Sequence, residues 1–209
     1  ELYNTEDVRN TLQNKGYTFL TNSDTEVLLT AYIEWQEACT AYLNGIFAFS
    51  VWCEEEKSLF LCRDRMGVKP LFYTERNGEI LFASEIKSLL AHPTIKPIVD
   101  RQGLAGLLSI GPSRVLGKTV YKDIVELKPA HYLKITPKEK RLVRYWDVTD
   151  QAHTHDEQET IENVRLLLKN AIERQLVSDV PLCTFLSGGL DSSYITAIAA
   201  NVYRSSGKT

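Results

Sequence analysis

The chain has 209 residues, 44% of them hydrophobic and 24% charged, enough to bury a core in one or two domains. A net charge of −3 gives no basis for a nucleic-acid or anionic-membrane surface, and no apolar run approaches the ~20 residues that span a bilayer. Four scattered cysteines (Cys39, Cys53, Cys62, Cys183), no C-x-x-C pair and no signal-peptide pattern before the first element read as reduced thiols in a cytoplasmic protein.

Glu1-Leu2-Tyr3-Asn4 has no Met and reads as the end of a motif rather than a beginning. Thr5 is expected to cap a helix over 5–15, closed by Gly16, and 17–20 to form a short strand. Ser23-Asp24-Thr25-Glu26 fits a capping box before an amphipathic helix reaching about residue 42, with Val27, Leu28, Ala31, Tyr32 and Trp35 as its apolar stripe. The nearly unbroken apolar run 46–53 suggests a central strand buried on both faces. Strands are expected over 58–63, 70–74 and 79–83, the last two joined by the Asn77-Gly78 hairpin signal. A short helix over 85–91 stops before His92-Pro93, and Asp100 can cap another over 101–109. A late hairpin pairs 131–135 with 141–147 around Pro137-Lys138, and closely spaced strands argue for antiparallel pairing.

Residues 149–156 are polar, without an apolar anchor, and read as a linker between a domain over 1–148 and the start of another over 157–209. A second capping box, Thr154-His155-Asp156-Glu157, opens a long helix over about 157–177, with Ile161, Val164, Leu167, Leu168, Ala171 and Ile172 on one face. His153-x-His155 has no third ligand nearby, so the linker is not read as a metal site. The apolar stretch 181–186 is expected to be a strand with Cys183 buried in it. It runs into Ser187-Gly188-Gly189-Leu190-Asp191-Ser192-Ser193 and a helix from Tyr194. Glycines let a backbone approach a polyphosphate, hydroxyls donate to it, and unpaired N–H groups at a helix start suit an anion. Asp191 repels phosphate unless a cation lies between, so it implies Mg²⁺. Neither Gly117-Lys118-Thr119, whose upstream glycine is Gly111, nor Gly207-Lys208-Thr209 has the spacing of a Walker phosphate loop. A helix–strand–helix passage of this kind is α/β in character, and one strand does not close such a domain, so the second domain is expected to be incomplete.

S-G-G-L-D-S after an apolar strand resembles the pyrophosphate loop of the ATP pyrophosphatase superfamily. Glu1-Leu2-Tyr3-Asn4, Ser23-Asp24-Thr25-Glu26-Val27, Leu43-Asn44-Gly45-Ile46-Phe47-Ala48-Phe49, Arg63-Asp64-Arg65-Met66-Gly67-Val68-Lys69-Pro70-Leu71-Phe72-Tyr73 and Phe82-Ala83-Ser84-Glu85-Ile86-Lys87 resemble segments of class II, N-terminal-nucleophile glutamine amidotransferases. With Asp179-Val180-Pro181 and the pyrophosphate loop, the combination is similar to the glutamine-hydrolysing asparagine synthetases, over nearly the whole chain.

The resemblance implies an α+β/α/β two-domain fold. An antiparallel β-sandwich flanked by helices comes first, followed by the start of a parallel α/β pyrophosphate-loop domain. It implies ATP-dependent amidation of aspartate through β-aspartyl-AMP with ammonia from glutamine, and small-molecule partners: glutamine, aspartate and ATP. It implies that Glu1 and Asp24 hold the α-ammonium of glutamine, that Leu186, Ser187, Gly188, Gly189, Leu190, Asp191 and Ser192 form the ATP site, and that Asp191 meets Mg²⁺. The family's N-terminal cysteine nucleophile, its carboxylate-binding arginine and its oxyanion Asn-Gly have no match here, so the stretch is expected to be an inactive fragment by itself. Asp24 also suits a helix's first turn for dipole reasons alone. Arg63 and Asp64 are expected to pair structurally, and Lys69 to be a solvated charge. Two other readings stand beside this one: a relative acting on another carboxylate, such as a β-lactam synthetase or peptide-cyclising enzyme, and a non-catalytic glutamine- or nucleotide-binding protein. A homo-oligomer is left open.

Overall fold

The computed structural model describes residues 1–110, 115–178 and 180–205. Gly111, Asp179 and Gly207-Lys208-Thr209 lie outside the described residues. The chain divides into two compact units, Glu1–Val148 and Thr149–Thr209. In chain order the first contains α1 (Thr5–Asn14), α2 (Asp24–Trp35), β1 (Ala48–Cys53), β2 (Ser58–Arg63), β3 (Phe72–Arg76), β4 (Glu79–Ala83), α3 (Ile86–Leu90), α4 (Arg101–Ile110), β5 (Val125–Glu126), β6 (His131–Ile135) and β7 (Lys140–Arg144). The second contains α5 (Glu157–Arg174) and α6 (Leu190–Ser205).

Two antiparallel sheets, ordered β1-β2-β6-β7 and β4-β3-β5, share one core. The alternation of side chains along a strand explains how. On β2 and β6, Leu61 and Leu133 face each other in register and pack with Leu71, Tyr73 and Leu127 from the second sheet and its flanks. Phe60, Cys62 and Tyr132 point the other way, against Val8 and Leu12 of α1 and Val27, Ala31 and Tyr32 of α2. Phe72, between Leu71 and Tyr73, turns instead to Leu89 of α3, with Ile95 and Ile124. The first unit is therefore layered helices, sheet, sheet, helix. Antiparallel sheets with flanking helices are what the strand spacing leads one to expect.

Several local expectations are corrected. The run 46–53 does not form a central strand: β1 is the sheet's edge and half exposed, and the buried centre is β2. No strand forms at 17–20, because the Leu20 and Thr21 N–H groups bind the Glu26 carboxylate instead of a neighbouring strand. That also spoils the reciprocal box at Ser23, whose hydroxyl accepts only from Thr25 N. Asn4, not Thr5, precedes α1. The helix expected to reach residue 42 stops at Trp35, where Gln36 takes φ +50°, and a 3₁₀ turn carries the chain over Gln36–Ala41. Two-residue β5 was too short to read from a pattern.

In the second unit the capping box is Asp156 with Glu159, two residues later than expected. The His153 and His155 rings lie edge to face and hydrogen-bond to Thr160 and Asn163 of α5. Residues 181–186 pair with no strand among the described residues, which leaves Cys183 exposed, not buried as expected. Among the described residues no helix is long and apolar enough to cross a membrane.

Candidate functional sites

A cleft of about 590 Å³ opens along the free edge of β1, within the ~300–1,000 Å³ usual for small-molecule sites. Glu1, Asp24, Leu28, Phe47, Lys69 and Ser84 are among the residues lining it. The two carboxylates expected to act together thus share one cleft. Glu1 is held by its backbone: its nitrogen donates to Ile46 O at 2.9 Å, its carbonyl accepts from Ile46 N at 3.0 Å, and Leu2 bridges to Gly45. This crossing needs a glycine, because a Cβ at Gly45 would overlap the Glu1 carbonyl. The Asn4 side chain adds to the tie, donating to Tyr42 O and accepting from Asn44 N. Asp24 opens α2 directly after its Ser23 cap, and its Oδ2 lies 3.7 Å from the Glu1 nitrogen. Two carboxylates over apolar walls suit a ligand that presents an ammonium group.

The cysteines are not placed for chemistry in this cleft. None of the four is among its lining residues. Burial pushes the Cys39 thiol up to about 12. Burial, and then the neighbouring Cys39, also raise the Cys62 thiol well above its ordinary value. Both stay neutral thiols at physiological pH, when a nucleophile needs the thiolate.

Glu26, read from the sequence only as a capping-box member, and Asp64, expected to pair with Arg63, both support the site in other ways. Glu26 accepts from Leu20 N, Thr21 N and the Thr21 hydroxyl, at 2.8, 2.8 and 2.6 Å, and so anchors the loop entering Ser23 and Asp24. Arg63 does not pair with Asp64. It donates to buried Glu126 at 3.0 Å, while the Asp64 carboxylate accepts main-chain N–H groups from the loop after it. An acid followed by a glycine-containing loop was the available signal for such an Asx-type turn. Burial first, then the negative charges of Glu1 and Asp64, raise the Tyr3 phenol.

In the second unit a separate cleft of about 500 Å³ is lined by Ser187, Gly189, Asp191 and Ser192, with Thr184 and Ile195 among its walls. Gly188 takes φ +84°, where a side chain would be strained, and nothing stands within 4 Å of where its Cβ would be. The Ser187 and Ser192 hydroxyls lie 3.0 Å apart, and Ser192 donates to Gly189 O. Leu190 opens α6 and Asp191 follows in its first turn. Leu186 and Leu190 are exposed. Hydroxyls, open glycine backbone and a helix start converge here, groups whose chemistry suits a phosphate.

The family model described as a glutamine amidotransferase domain matches residues 1–146, and one described as asparagine synthase matches residues 163–209. The chain is 55% identical over 208 residues to Asparagine synthetase (glutamine-hydrolyzing) 3 of Bacillus subtilis strain 168, covering 100% of this chain and 34% of that relative. It is 35% identical over 211 residues to Asparagine synthetase (glutamine-hydrolyzing) 1 of the same strain, covering 98% and 32%. It is 33% identical over 209 residues to Amidase chyE of Penicillium rubens, covering 98% and 30%. The chain thus spans about a third of the length of these relatives.

Glu26 gives the first site a pH-dependent support. Hydrogen bonds from Leu20 N, then from Thr21, hold its carboxyl below the ordinary 4.5. A lowered folded pKa stabilises the protein above the unfolded value, and the contribution is lost as pH falls through the folded one. Glu26→Gln is expected to lower the thermal midpoint at pH 7, with the difference from the parent closing as pH falls through the lowered folded pKa, below which both side chains are neutral. A difference that stays constant across that range means the carboxylate charge plays no part.

Proposed function

Since the chain belongs to the glutamine amidotransferase domain family over residues 1–146, we propose that it is part of a glutamine-hydrolysing asparagine synthetase. Residues 1–148 form the glutaminase domain, of the N-terminal-nucleophile type, 149–156 the linker, and 157–209 the start of a parallel pyrophosphate-loop domain. The observation that carries this reading is 55% identity, over the whole chain, to a relative of that name. The two clefts, one acidic and one suited to phosphate, fit it.

In the first cleft Glu1 and Asp24 bind the α-ammonium of glutamine. No cysteine lines this cleft, so the attack on the glutamine amide is assigned to no described residue of this chain. In the second, the aspartate β-carboxylate attacks the α-phosphorus of ATP, the α–β phosphoanhydride breaks, and pyrophosphate leaves. Ammonia then attacks the acyl carbon of β-aspartyl-AMP and displaces AMP, giving asparagine. Within the loop 186–192, Ser187, Gly188, Gly189 and Ser192 hold the departing pyrophosphate, and Leu186 and Leu190 bracket it.

Asp191 would hold Mg²⁺. Among the described residues no three His, Cys, Asp or Glu side chains cluster as a protein-only metal cage. A single carboxylate on a phosphate loop fits a cation that keeps its waters and is completed by substrate phosphates. When bound, it neutralises charge on the leaving pyrophosphate.

A ligase acting on another carboxylate is the second reading, kept because one relative of similar identity carries the name amidase and not synthetase. None of the residues assigned here selects the acceptor, so the two readings differ only in that substrate. Partners in either case are small molecules; a homo-oligomer fits both.

In the full-length enzyme, Asp24→Asn is expected to weaken glutamine use roughly ten- to a hundred-fold, the worth of a charge-assisted hydrogen bond at about 1.5–3 kcal/mol. Ammonia-dependent synthesis should stay close to the parent's. Equal loss with both nitrogen sources would make Asp24 a structural first-turn acid.

Asp191→Asn is nearly isosteric, so the loop and α6 should survive it. Aspartate-dependent exchange of pyrophosphate into ATP should fall steeply, because a neutral amide is a poor Mg²⁺ ligand, while glutamine hydrolysis persists. Exchange within about twofold of the parent at limiting Mg²⁺ would remove Asp191 from the metal site.

A further inference from the structure

One wall of the first cleft, at Lys69 and Pro70, belongs to a loop held together by one buried carboxylate. Asp64 is only 1% exposed. Its Oδ1 accepts from Met66 N at 3.1 Å and Val68 N at 2.9 Å, and its Oδ2 accepts from Lys69 N at 2.9 Å. Its own N–H donates to Phe47 O at 2.8 Å, and its carbonyl accepts from Gly67 N and Ala130 N. Arg63 closes the loop from beneath. Its guanidinium donates to Lys69 O at 2.7 Å, Gly67 O at 2.7 Å, Leu127 O at 2.6 Å and Glu126 Oε1 at 3.0 Å. The loop's side chains buy no order of their own: Met66 and Val68 are 72% and 56% exposed. Its shape comes from the polar network.

That network meets the cleft at two points. Lys69 and Pro70 line it from the loop, and Phe47 lines it from the approach to β1. Asp64 is bonded to both Lys69 and Phe47 through main-chain groups. We propose that Asp64, backed by Arg63, is a positioning residue of the glutamine cleft, setting the separation of the Lys69–Pro70 and Phe47 walls. It touches no ligand and acts through the loop. The inference rests on the reading of this cleft as a glutamine site.

Asp64→Asn tests it in the full-length enzyme. The amide oxygen can still accept from Met66 and Val68, but the amide NH₂ meets the Lys69 N–H donor to donor, so the cleft end of the loop is released. Amide exchange over 66–69 is expected to quicken by at least about tenfold, with core peptides unchanged. The KM for glutamine should rise at least about fivefold, with kcat and ammonia-dependent synthesis within about twofold of the parent. Faster exchange with an unchanged KM overturns the proposal, as does equal loss with glutamine and ammonia. Should this variant fail to fold, Arg63→Lys keeps a cation beside Glu126 and loses the fork to Gly67 and Lys69. The same KM rise is then expected, and an unchanged KM overturns the proposal. A parent enzyme that does not use glutamine at all sinks the functional reading itself, and shows this before any substitution is made.

Discussion

Leu59 and Leu61 leave one face of β2, Phe60 and Cys62 the other, and each pair belongs to a different core. This two-residue period is the constraint on which the first unit depends. It forces helices α1 and α2 onto one side and the second sheet onto the other, because neither apolar face can be left to water. Every fully buried large side chain of β2 and β6 follows the rule. Shifting either strand by one residue would exchange the two faces and place Phe60 where Leu61 meets Leu133. β1 sits outside this arrangement at the sheet edge, and the edge is where the cleft opens. The site is therefore a by-product of the layering: a half-exposed apolar strand, flanked by the start of one helix and one clamped loop.

Much of this was legible in the residues. The β-hairpin at Asn77-Gly78, the Asp100 cap and the apolar stripe of α2 are local signals, and all three are found in the structure. The errors share a physical cause. The run 46–53 is as apolar as a central strand, yet whether it has a neighbour on each side is a matter of topology, which composition does not carry. Residues 17–20 have strand-like side chains, but Glu26 takes their N–H groups, a contact set by the loop's fold. Capping boxes at Ser23 and Thr154 failed for the same reason: the pattern names the residues, and the geometry decides which donor each carboxylate reaches.

Asp24 and Glu1 were legible as a pair only through motif resemblance, since one acid in a helix's first turn is unremarkable alone. The structure adds that both line one cleft and that Gly45 lets the Glu1 segment cross close by. Asp64 shows the opposite case. Its importance is invisible in charge patterning, because its partners are main-chain groups, and a buried carboxylate with three N–H donors organises a loop more firmly than an exposed ion pair does. In the second unit the loop 187–193 is read directly from its glycines and hydroxyls, whereas 181–186 needs partner strands to become part of a sheet.

The central claim is that nitrogen from glutamine and energy from ATP meet on one aspartate in the full-length protein. Supplying glutamine labelled with ¹⁵N at its amide, together with aspartate, ATP and Mg²⁺, tests it most directly. The account predicts ¹⁵N in the side-chain amide of asparagine, with AMP and pyrophosphate formed in equal amounts to it. Release of glutamate with no aspartate-dependent AMP, or formation of ADP and phosphate in place of AMP and pyrophosphate, would contradict it.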